Sequence, residues 1–314
     1  MKLLYKTLPE GICIRRYYSL DGFARIPGQV EGKPVRELDR YAFSETVRGQ
    51  EDLPGQWEDE PAVKGEGLTA LALPQTLRRV GAYAFYNCSQ LKNLSFFSTV
   101  EDWGAGVFTG CSGLRELDIQ LMGGSRSCFK EVLSELRQTL TVSCRDSSGA
   151  LAARLIFPEF FEESVENTPA RITMREMHGC GHMYRYCFEG PEFSFGEYDR
   201  LFPHVQVQEK PELVTRLAVY RLYWPKGLIR DGEEAYWAYL KEHMRETVLG
   251  LIKRDELSIL RWLTRSPRID RADMEKMVLA AAASPDPRAT ALIMDARGQK
   301  LGAEGPRTQR TFIL

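Results

Sequence analysis

The chain has 314 residues, enough for one large domain or two ordinary ones, and its hydrophobic (43%) and charged (27%) fractions are those of a globular protein. A formal net charge of −1 and a pI near 6.5 provide no overall field that would attract nucleic acid or an anionic membrane, so we expect neither as a partner. No apolar run approaches the roughly 18 residues that a membrane-spanning helix needs.

The start of the chain and the cysteines both bear on the compartment. The first residues, MKLLYKTLPEGICIRRYYSL, contain no sustained apolar segment and no small-residue cleavage site of the kind found in secretion signals. The seven cysteines are an odd number and include no C-x-x-C pair. We therefore expect a cytoplasmic protein whose cysteines stay reduced and behave as small hydrophobic side chains.

Two segments of the chain repeat each other at a spacing of 23 residues. VGAYAFYNCSQLKNLSF (80–96) aligns with WGAGVFTGCSGLRELDI (103–119), so that Leu91 matches Leu114. An upstream copy, VRELDRYAFS (35–44), has the apolar spacing of residues 77–86, and its strand portion is displaced to LTALALP (68–74). A period of this size indicates a solenoid, in which each unit buries its apolar face against its neighbours.

An acidic insertion, residues 45–66, separates the upstream copy from the other two. It contains seven acidic and two basic residues, two prolines and the lone Trp57. Charged segments rich in Pro and Gly bury little surface, so a solvated loop is the first interpretation. The alternative is that Trp57 anchors a protein partner, because aromatic side chains are enriched among binding hot spots.

These repeats resemble a known family. IPGQVEGKPVRELDRYAF (26–43), LALPQTLRRVGAYAFYNCSQLKNLSF (71–96) and the copy after it are similar to the BspA-type leucine-rich repeats of gut and oral bacteria, over about residues 24 to 119. The resemblance implies a curved solenoid used for protein recognition, and many members of the family are secreted adhesins. This chain departs from them in having few repeats, an insertion and no evident signal peptide.

Cys88 and Cys111 occupy equivalent positions in neighbouring repeats. Their sulfur atoms would lie close together, which makes a disulfide or a shared metal conceivable. A ladder of small buried side chains explains the pair without either, and we prefer it for a reducing compartment.

The repeat also predicts a binding surface. In a strand of the form L-x-x-L-x-L the leucines point inward, and the alternate side chains face the other way. Stacked coils should align the outward residues into a polar stripe, which is either a solvated sheet face or the surface that holds a protein partner. The residues are Asn93, Ser95, Glu116 and Asp118, with Lys92 and Arg115 at the edge.

Beyond residue 119 the pattern changes to a β-rich junction. FKEVLSELRQTL (129–140) has apolar residues at helical spacing, and residues 140–157 alternate around a turn as a hairpin would. Glu162 and Glu163 are expected to begin a helix after Pro158, and residues 170–188 alternate again. A small sheet here would close the open end of the solenoid, which otherwise aggregates.

A cluster of metal-binding residue types lies in HGCGHMYRYC (178–187). His178, Cys180 and His182 alternate and Cys187 follows, and imidazole and thiolate are good zinc ligands. The spacing matches no established zinc module, and Gly179 with Gly181 favours a bend that would separate the side chains. We therefore predict no metal and no cofactor, and keep these four residues only as weak metal candidates.

The remainder, from residue 211, has helical periodicity. Helices are expected over 211–223, then as one long helix over 232–254, and then as three short helices in which Asp270 caps the second. Residues 256–298 resemble the end of an ankyrin-type array, although the T-P-L-H tetrapeptide is absent. A generic helical bundle describes the same segment nearly as well.

The sequence thus predicts an α+β protein in three parts: a leucine-rich solenoid (1–145, with insertion 45–66), a β-rich junction (146–210) and a helical domain (211–314). None of the common nucleotide-binding, protease or hydrolase motifs occurs, and the four histidines form no catalytic pattern. We expect a non-enzymatic adaptor or scaffold that binds a protein. The alternatives are an enzyme or metal-dependent protein centred on 178–187, and a cell-surface adhesin.

Overall fold

The computed structural model describes residues 1–48, 53–123, 129–167 and 172–304. The chain forms two compact units. The first comprises Met1–Gln208 with Trp224–Leu228, and the second comprises Glu209–Tyr223 with Ile229–Leu314. The first unit contains the strands and the second is helical, so the α+β class with a leucine-rich solenoid followed by helices is confirmed.

The first unit is built mainly from short strands. In chain order they are β1 (Lys2–Leu8), β2 (Gly11–Tyr18), β3 (Phe23–Arg25), β4 (Gln29–Val30), β5 (Lys33–Leu38), β6 (Gln56–Trp57), β7 (Glu60–Pro61), β8 (Ala70–Ala72), β9 (Arg79–Val80), β10 (Asn93–Phe97), β11 (Asp102–Trp103), β12 (Glu116–Gln120), β13 (Leu140–Arg145), β14 (Leu151–Phe157), β15 (Phe161–Asn167), β16 (Ile172–His178), β17 (Phe188–Glu189) and β18 (Glu192–Phe193).

Two sheets of this unit form the walls of a solenoid of about five turns. The first sheet has the order β1-β2-β5-β9-β11 and the second has the order β14-β13-β12-β10-β8-β3. Successive coils add strands in parallel, whereas β1 and β14 pair antiparallel with their neighbours at opposite ends. These two strands reverse the chain direction at the ends of the sheets. Such an ending is expected, because the open end of a solenoid aggregates unless it is capped.

The 23-residue period sets the register of the strands. Leu94 pairs with Leu117 across β10 and β12, and Leu71 of β8 pairs with Leu94 on the other side. All three leucines are buried, as are Leu91 and Leu114 at the preceding repeat position. Equivalent apolar side chains therefore stack from coil to coil, which is the source of the core.

The first coil differs from the prediction in one respect. Its strand in the second sheet is β3, which pairs with β8, so no strand of the upstream copy is displaced. Residues 68–74 instead begin the next coil, together with β9. The insertion therefore lies between two complete coils, and it was the weak repeat signal around Phe23 that hid the first strand.

The turns between the sheets repeat as closely as the strands do. Tyr41 and Tyr83 both adopt a left-handed backbone (φ 55° and 57°), and their rings stack at 5.5 Å. Gly106 takes the third equivalent position with φ 64°. Inside the turns, Phe43, Phe85 and Phe108 form a continuous aromatic column with centroid distances of 6.0 and 5.9 Å.

Main-chain hydrogen bonds join the turns in one direction, and we call this set the turn ladder. Tyr41 N–H donates to Ala82 O (3.3 Å) and Tyr83 N–H donates to Ala105 O (3.0 Å), one coil further each time. The carbonyls at the start of the ladder accept from the buried Arg16, whose Nη1 lies 3.2 Å from Tyr41 O. At the far end the Glu135 carboxylate accepts from Phe108 N–H.

Two repeat glycines are required by close packing of the turns. A Cβ atom on Gly81 would lie 2.4 Å from Arg40 N, and one on Gly104 would lie 2.4 Å from Ala82 N. The backbone of the preceding turn occupies that space. The first copy has Asp39 at this position, where its carboxylate instead pairs with Lys6 (3.1 Å) and Arg15 (3.6 Å).

The described part of the acidic insertion is not a freely solvated loop, which corrects the first interpretation. Ala62 and Val63 are buried, and Ser19 N–H donates to Pro61 O (3.1 Å). Glu60 pairs with the N-terminal ammonium (2.7 Å) and Glu58 pairs with Lys2. Ion pairs and two buried apolar side chains therefore hold the segment against the rest of the unit. Residues 49–52 lie outside the described part.

After the last coil the chain forms short helices as well as strands: α1 (Phe129–Glu135), α2 (Gly181–Tyr184), α3 (Phe195–Arg200) and α4 (Phe202–Gln208). The predicted helix α1 and the predicted hairpin β13–β14 are present. The predicted helix start at Glu162 and Glu163 is wrong, because both lie in β15, which pairs antiparallel with β16. Cross-strand pairing outweighs the weak helix signal of Pro158 followed by acidic residues.

The second unit contains α5 (Pro211–Tyr223), α6 (Arg230–Glu242), α7 (Met244–Lys253), α8 (Leu257–Arg265), α9 (Arg271–Ala282) and α10 (Pro287–Glu304). The single long helix predicted over 232–254 is wrong, since His243 leaves the helical conformation (φ −106°, ψ 41°) and divides it into α6 and α7. Asp270 caps α9 as predicted and forms a capping box with Asp273. Within the described residues, no helix has both the length and the apolar character to cross a membrane.

Candidate protein-interaction surface

The predicted polar stripe exists as one face of the second sheet. Asn93 pairs with Glu116 and Ser95 with Asp118 in exact parallel register. Asn93 and Ser95 are exposed, whereas Leu94 between them is buried. The strands therefore present alternate side chains to the outside, and we call this surface the polar face.

The register extends the polar face beyond the two predicted coils. Ser95 aligns with Ala72 and, through β8, with Arg25 on one side. On the other side Asp118 aligns with Ser143 of β13, which faces Arg154 of β14. One continuous row thus crosses the whole sheet: Arg25, Ala72, Ser95, Asp118, Ser143 and Arg154.

The acidic half of the polar face is already paired with arginines. Arg145 Nε lies 2.9 Å from each carboxylate oxygen of Asp118, and this hydrogen bonding raises the pKa of Arg145. Arg154 lies 3.6 Å from the Glu116 carboxylate. Glu116 and Asp118 are therefore part of a mixed-charge surface rather than a bare acidic stripe.

Lys92 and Arg115 stand where the sequence places them, at one edge of the face. Arg115 N–H donates to Lys92 O (3.0 Å), and both side chains are exposed. The Arg115 guanidinium bonds to the carbonyl oxygen of Ser112 (2.7 Å) and is thus held against its own coil. The edge is cationic and the centre is mixed, so the surface can receive both carboxylates and amides of a partner.

Arg25, Arg145 and Arg154 were missed by sequence reasoning. Arg145 stands 27 residues after Asp118 rather than 23, and Arg154 lies on an antiparallel strand, so the period reveals neither. The hairpin 140–157 was identified, but its place as the continuation of the same sheet was not. Extending the row of alternating residues into that hairpin would have found both.

Trp57, the other predicted partner anchor, is partly engaged already. Its ring contacts Tyr18 edge to face at 5.7 Å, and 38% of the residue remains exposed. Tyr18 is fully buried and its hydroxyl donates to Pro54 O (2.9 Å). Trp57 therefore covers the core beside β2, and only its outer edge is available to another molecule.

The four weak metal candidates do not form a common site. His178 ends β16 and stacks on Phe161 at 4.6 Å, and Gly179 bends the chain with φ 91°. Cys180 is fully buried, and His182 in α2 packs against Tyr186. The Cys187 thiol donates to Met183 O (3.7 Å). In the described parts of the chain, no group of three or more His, Cys, Asp or Glu residues is placed to hold a metal ion.

The buried Arg185 organises this segment. Its guanidinium is fully buried and donates to Leu136 O (2.9 Å), Gln138 O (2.7 Å), Gly181 O (2.9 Å) and Pro158 O. Burial lowers its pKa to about 10. Leu136 and Gln138 lie in the connection between α1 and β13, whereas Pro158 follows β14 and Gly181 begins α2. One side chain thus ties the end of the solenoid to the segment after it.

Cys88 and Cys111 are structural in the way the repeat predicts. The Cys88 thiol donates to Phe43 O (3.3 Å) and the Cys111 thiol to Phe85 O (3.1 Å), each reaching back one coil. Burial raises the pKa of Cys111 to about 12 and that of Cys88 further, so both stay protonated. Among the described residues neither forms a disulfide, nor do Cys13, Cys144, Cys180 and Cys187, and Cys128 lies outside the described residues.

Comparison with known proteins identifies the repeats. Residues 60–142 match the family model described as BspA type leucine rich repeat region (6 copies), which confirms the resemblance seen in the sequence. A leucine rich cell surface protein from Faecalibacterium prausnitzii is similar in structure, with 19% identity, a TM-score of 0.28 and coverage of 48% of this chain and 42% of that one. The leucine rich repeat protein of T. pallidum shares 21% identity over 37% of this chain and 68% of its own, with a TM-score of 0.21. Comparison with curated proteins gave no match.

Proposed function

The chain carries a BspA-type leucine-rich repeat region, and from that premise we propose that it is a non-enzymatic adaptor or scaffold whose polar face holds a protein partner. The observation that carries the proposal is the continuous row of outward side chains across six hydrogen-bonded strands. Stacked repeats give a long, rigid surface, and such surfaces suit the recognition of another macromolecule. The hydroxyl, amide and charged groups of the polar face would provide specificity for a partner.

Asn93 and Ser95 are the best positions at which to test this proposal. Reversing Glu116 and Asp118 would leave Arg145 and Arg154 facing new positive charges, so that pair no longer isolates binding from stability. Asn93 and Ser95 are exposed and neutral, and replacing both with Arg adds bulk and charge without removing an ion pair. Surface changes of this kind usually alter stability by only about 0.5 kcal/mol.

The experiment is capture of partners by the immobilised full-length protein from its source cell, followed by mass spectrometry. Asn93→Arg with Ser95→Arg should abolish capture of the specific partner. The matched control is Thr109→Arg with Ser112→Arg, which adds the same side chains to an exposed turn of the next coil. Retention of the partner by the first variant contradicts the proposal. Loss caused by Trp57→Ala alone would place the partner on the insertion instead.

Two alternatives are separated by direct measurements. Metal analysis of the purified protein addresses the enzyme or metal-dependent protein centred on 178–187. Fractionation of the source cell distinguishes a cytoplasmic protein from a cell-surface adhesin. We propose the cytoplasm, because Cys88 and Cys111 act as hydrogen-bond donors in their thiol form.

We also propose that the last helices form an ankyrin-like array. In support, α9 packs against α7 and α10 packs against both α8 and α9, so the helices contact near neighbours. An experimental structure in which α8 to α10 superpose poorly on paired ankyrin helices would favour the generic bundle.

A further inference from the structure

A cleft in the helical unit has a composition suited to an acidic ligand. It is an open depression of about 490 Å³, and we call it the α8 cleft because most of its wall is one face of that helix. Positions spaced three, four and seven residues apart lie on the same side of a helix. The lining residues are Ser258, Arg261, Trp262, Arg265, Ser266 and Pro267.

The two arginines of the α8 cleft lack the partners that nearby arginines have. Arg261 and Arg265 are exposed, and no carboxylate among the described residues lies within ion-pair distance of either. In the same unit Arg254 pairs with Glu256 at 2.8 Å, and Arg288 pairs with Asp255 at 2.8 Å. Two like charges one turn apart destabilise a helix. No ion pair with a described carboxylate offsets that repulsion for Arg261 and Arg265.

Trp262 adds an apolar wall to the cleft that the two arginines line. Its ring contacts Tyr223 edge to face at 5.3 Å and Trp237 at 5.7 Å. Trp237 is buried, so the indole of Trp262 is held from behind while it remains partly exposed in front. Trp and Arg are the residue types most enriched among binding hot spots.

We propose that the α8 cleft binds an acidic segment of a protein partner, with carboxylates held by Arg261 and Arg265 and the adjoining chain lying against Trp262. Guanidinium groups bind carboxylates through paired hydrogen bonds, and no carboxylate lines this cleft to compete. The neighbouring cleft shares both arginines but contains Asp295, which places the ligand on the Trp262 side. This surface belongs to the helical unit and does not depend on the polar face.

An acidic protein segment fits better than nucleic acid or a membrane. Binding to a phosphate backbone draws on many cationic side chains, and the α8 cleft offers two in a chain of net charge −1. Anionic membranes likewise attract clusters of several basic residues. Two guanidinium groups, hydroxyls and one indole match a short segment that carries two or three carboxylates.

The test is fluorescence anisotropy of a labelled synthetic peptide, in which Glu alternates with Ala, titrated with the full-length protein. The Glu peptide should bind, and its counterpart with Lys in place of Glu should not. Arg261→Ala with Arg265→Ala should weaken binding by about 10-fold or more, since a hydrogen bond to a charged group is lost at each site. Arg261→Lys with Arg265→Lys should give a smaller loss, because charge remains but the paired geometry is gone.

The matched control is Arg245→Ala with Arg271→Ala. It removes the same charge from the same unit at two exposed positions outside the cleft, and it should leave binding unchanged. Thermal unfolding of each variant excludes a folding defect. Failure of the Glu peptide to bind, equal weakening by the control, or tighter Arg261- and Arg265-dependent binding of a duplex oligonucleotide would each overturn the proposal. None of these results bears on the polar face, which the Asn93 and Ser95 variants test.

Discussion

The solenoid and the helical unit place distant residues together by different means. In the solenoid, Leu94 and Leu117 are neighbours because they are one period apart. In the helical unit, Trp237 and Trp262 are in contact at 5.7 Å at a similar sequence separation, but no period connects them. In a repeated sequence the period therefore predicts which residues are in contact. In an aperiodic helical sequence the pattern predicts the helices, but their packing depends on the shapes of the side chains.

The sharpest way to separate the two units is to remove one core side chain from each. Leu91 and Leu260 are both fully buried, and Leu→Ala at such positions costs about 2–5 kcal/mol of unfolding free energy. Leu91→Ala should reduce hydrogen-exchange protection first in residues 68–119, because coils support their neighbours. Leu260→Ala is the matched change, and it should reduce hydrogen-exchange protection first in the helices from residue 229 onward.

Hydrogen exchange followed by mass spectrometry gives the comparison directly. Equal loss of protection in both units from either substitution would show that they unfold as one, and it would contradict the independence suggested by their separate cores.

A smaller effect is expected where the solenoid packs backbone against backbone. A methyl group at Gly104 would lie 2.4 Å from Ala82 N, so Gly104→Ala must shift one turn against another. We expect a loss of about 1–3 kcal/mol, as for other overpacked sites, measured by chemical denaturation.

Gly67→Ala is the control for Gly104→Ala, since no atom lies within 4 Å of the added Cβ there. If the two variants unfold at the same denaturant concentration, the repeat glycine is not explained by close approach of the turns.

The smallest effect concerns Glu135, at the end of the turn ladder. Burial is the main cause that raises the pKa of Glu135, and the hydrogen bond from Phe108 N–H opposes it. A raised pKa means that the folded state binds the proton more tightly than the unfolded chain does. The free energy of unfolding therefore rises as the pH falls and Glu135 takes up its proton. At neutral pH, where Glu135 is ionised, the buried charge lowers the free energy of unfolding.

Glu135→Gln keeps an acceptor for Phe108 N–H and removes the charge. We expect slightly higher stability at neutral pH and a weaker gain on acidification. Both changes should be small, because solvent still reaches part of the side chain and screens its charge. Denaturation at neutral and mildly acidic pH, with Glu131→Gln on the same helix as control, measures both. A clear loss of stability at neutral pH would mean that the carboxylate charge at the end of the ladder is favourable.

Sequence reasoning succeeded where local and periodic signals agreed. The repeat gave the coils, the register of Asn93 with Glu116 and the role of Cys88, because each follows from a shift of 23 residues. The surroundings of Glu116 and Asp118 did not follow, because Arg145 and Arg154 enter the sheet from a hairpin outside the period. Their partner-binding role stays a prediction.

The errors in helices and strands arise where the local pattern does not decide the structure. Glu162 and Glu163 follow a proline as residues at a helix start do, yet pairing with β16 places them in a strand. His243 interrupts an amphipathic pattern that continues on both sides of it. At Glu162 and Glu163 the pairing with a neighbouring strand outweighs a local preference, which no short window of sequence can show. The contacts of His243 are local, with its ring stacked on Tyr239 at 4.0 Å, and the apolar spacing does not reveal the break there.

The turn ladder makes the length of the solenoid adjustable while its ends stay fixed. Each turn receives hydrogen bonds from the turn before it and donates to the turn after it, so every interior coil offers the same two surfaces. Duplication of one coil would lengthen the polar face by one strand and leave the Arg16 and Glu135 contacts unchanged. The length of the second sheet can therefore change by copying a unit, whereas the Arg16 and Glu135 contacts each occur once, at the two ends of the ladder.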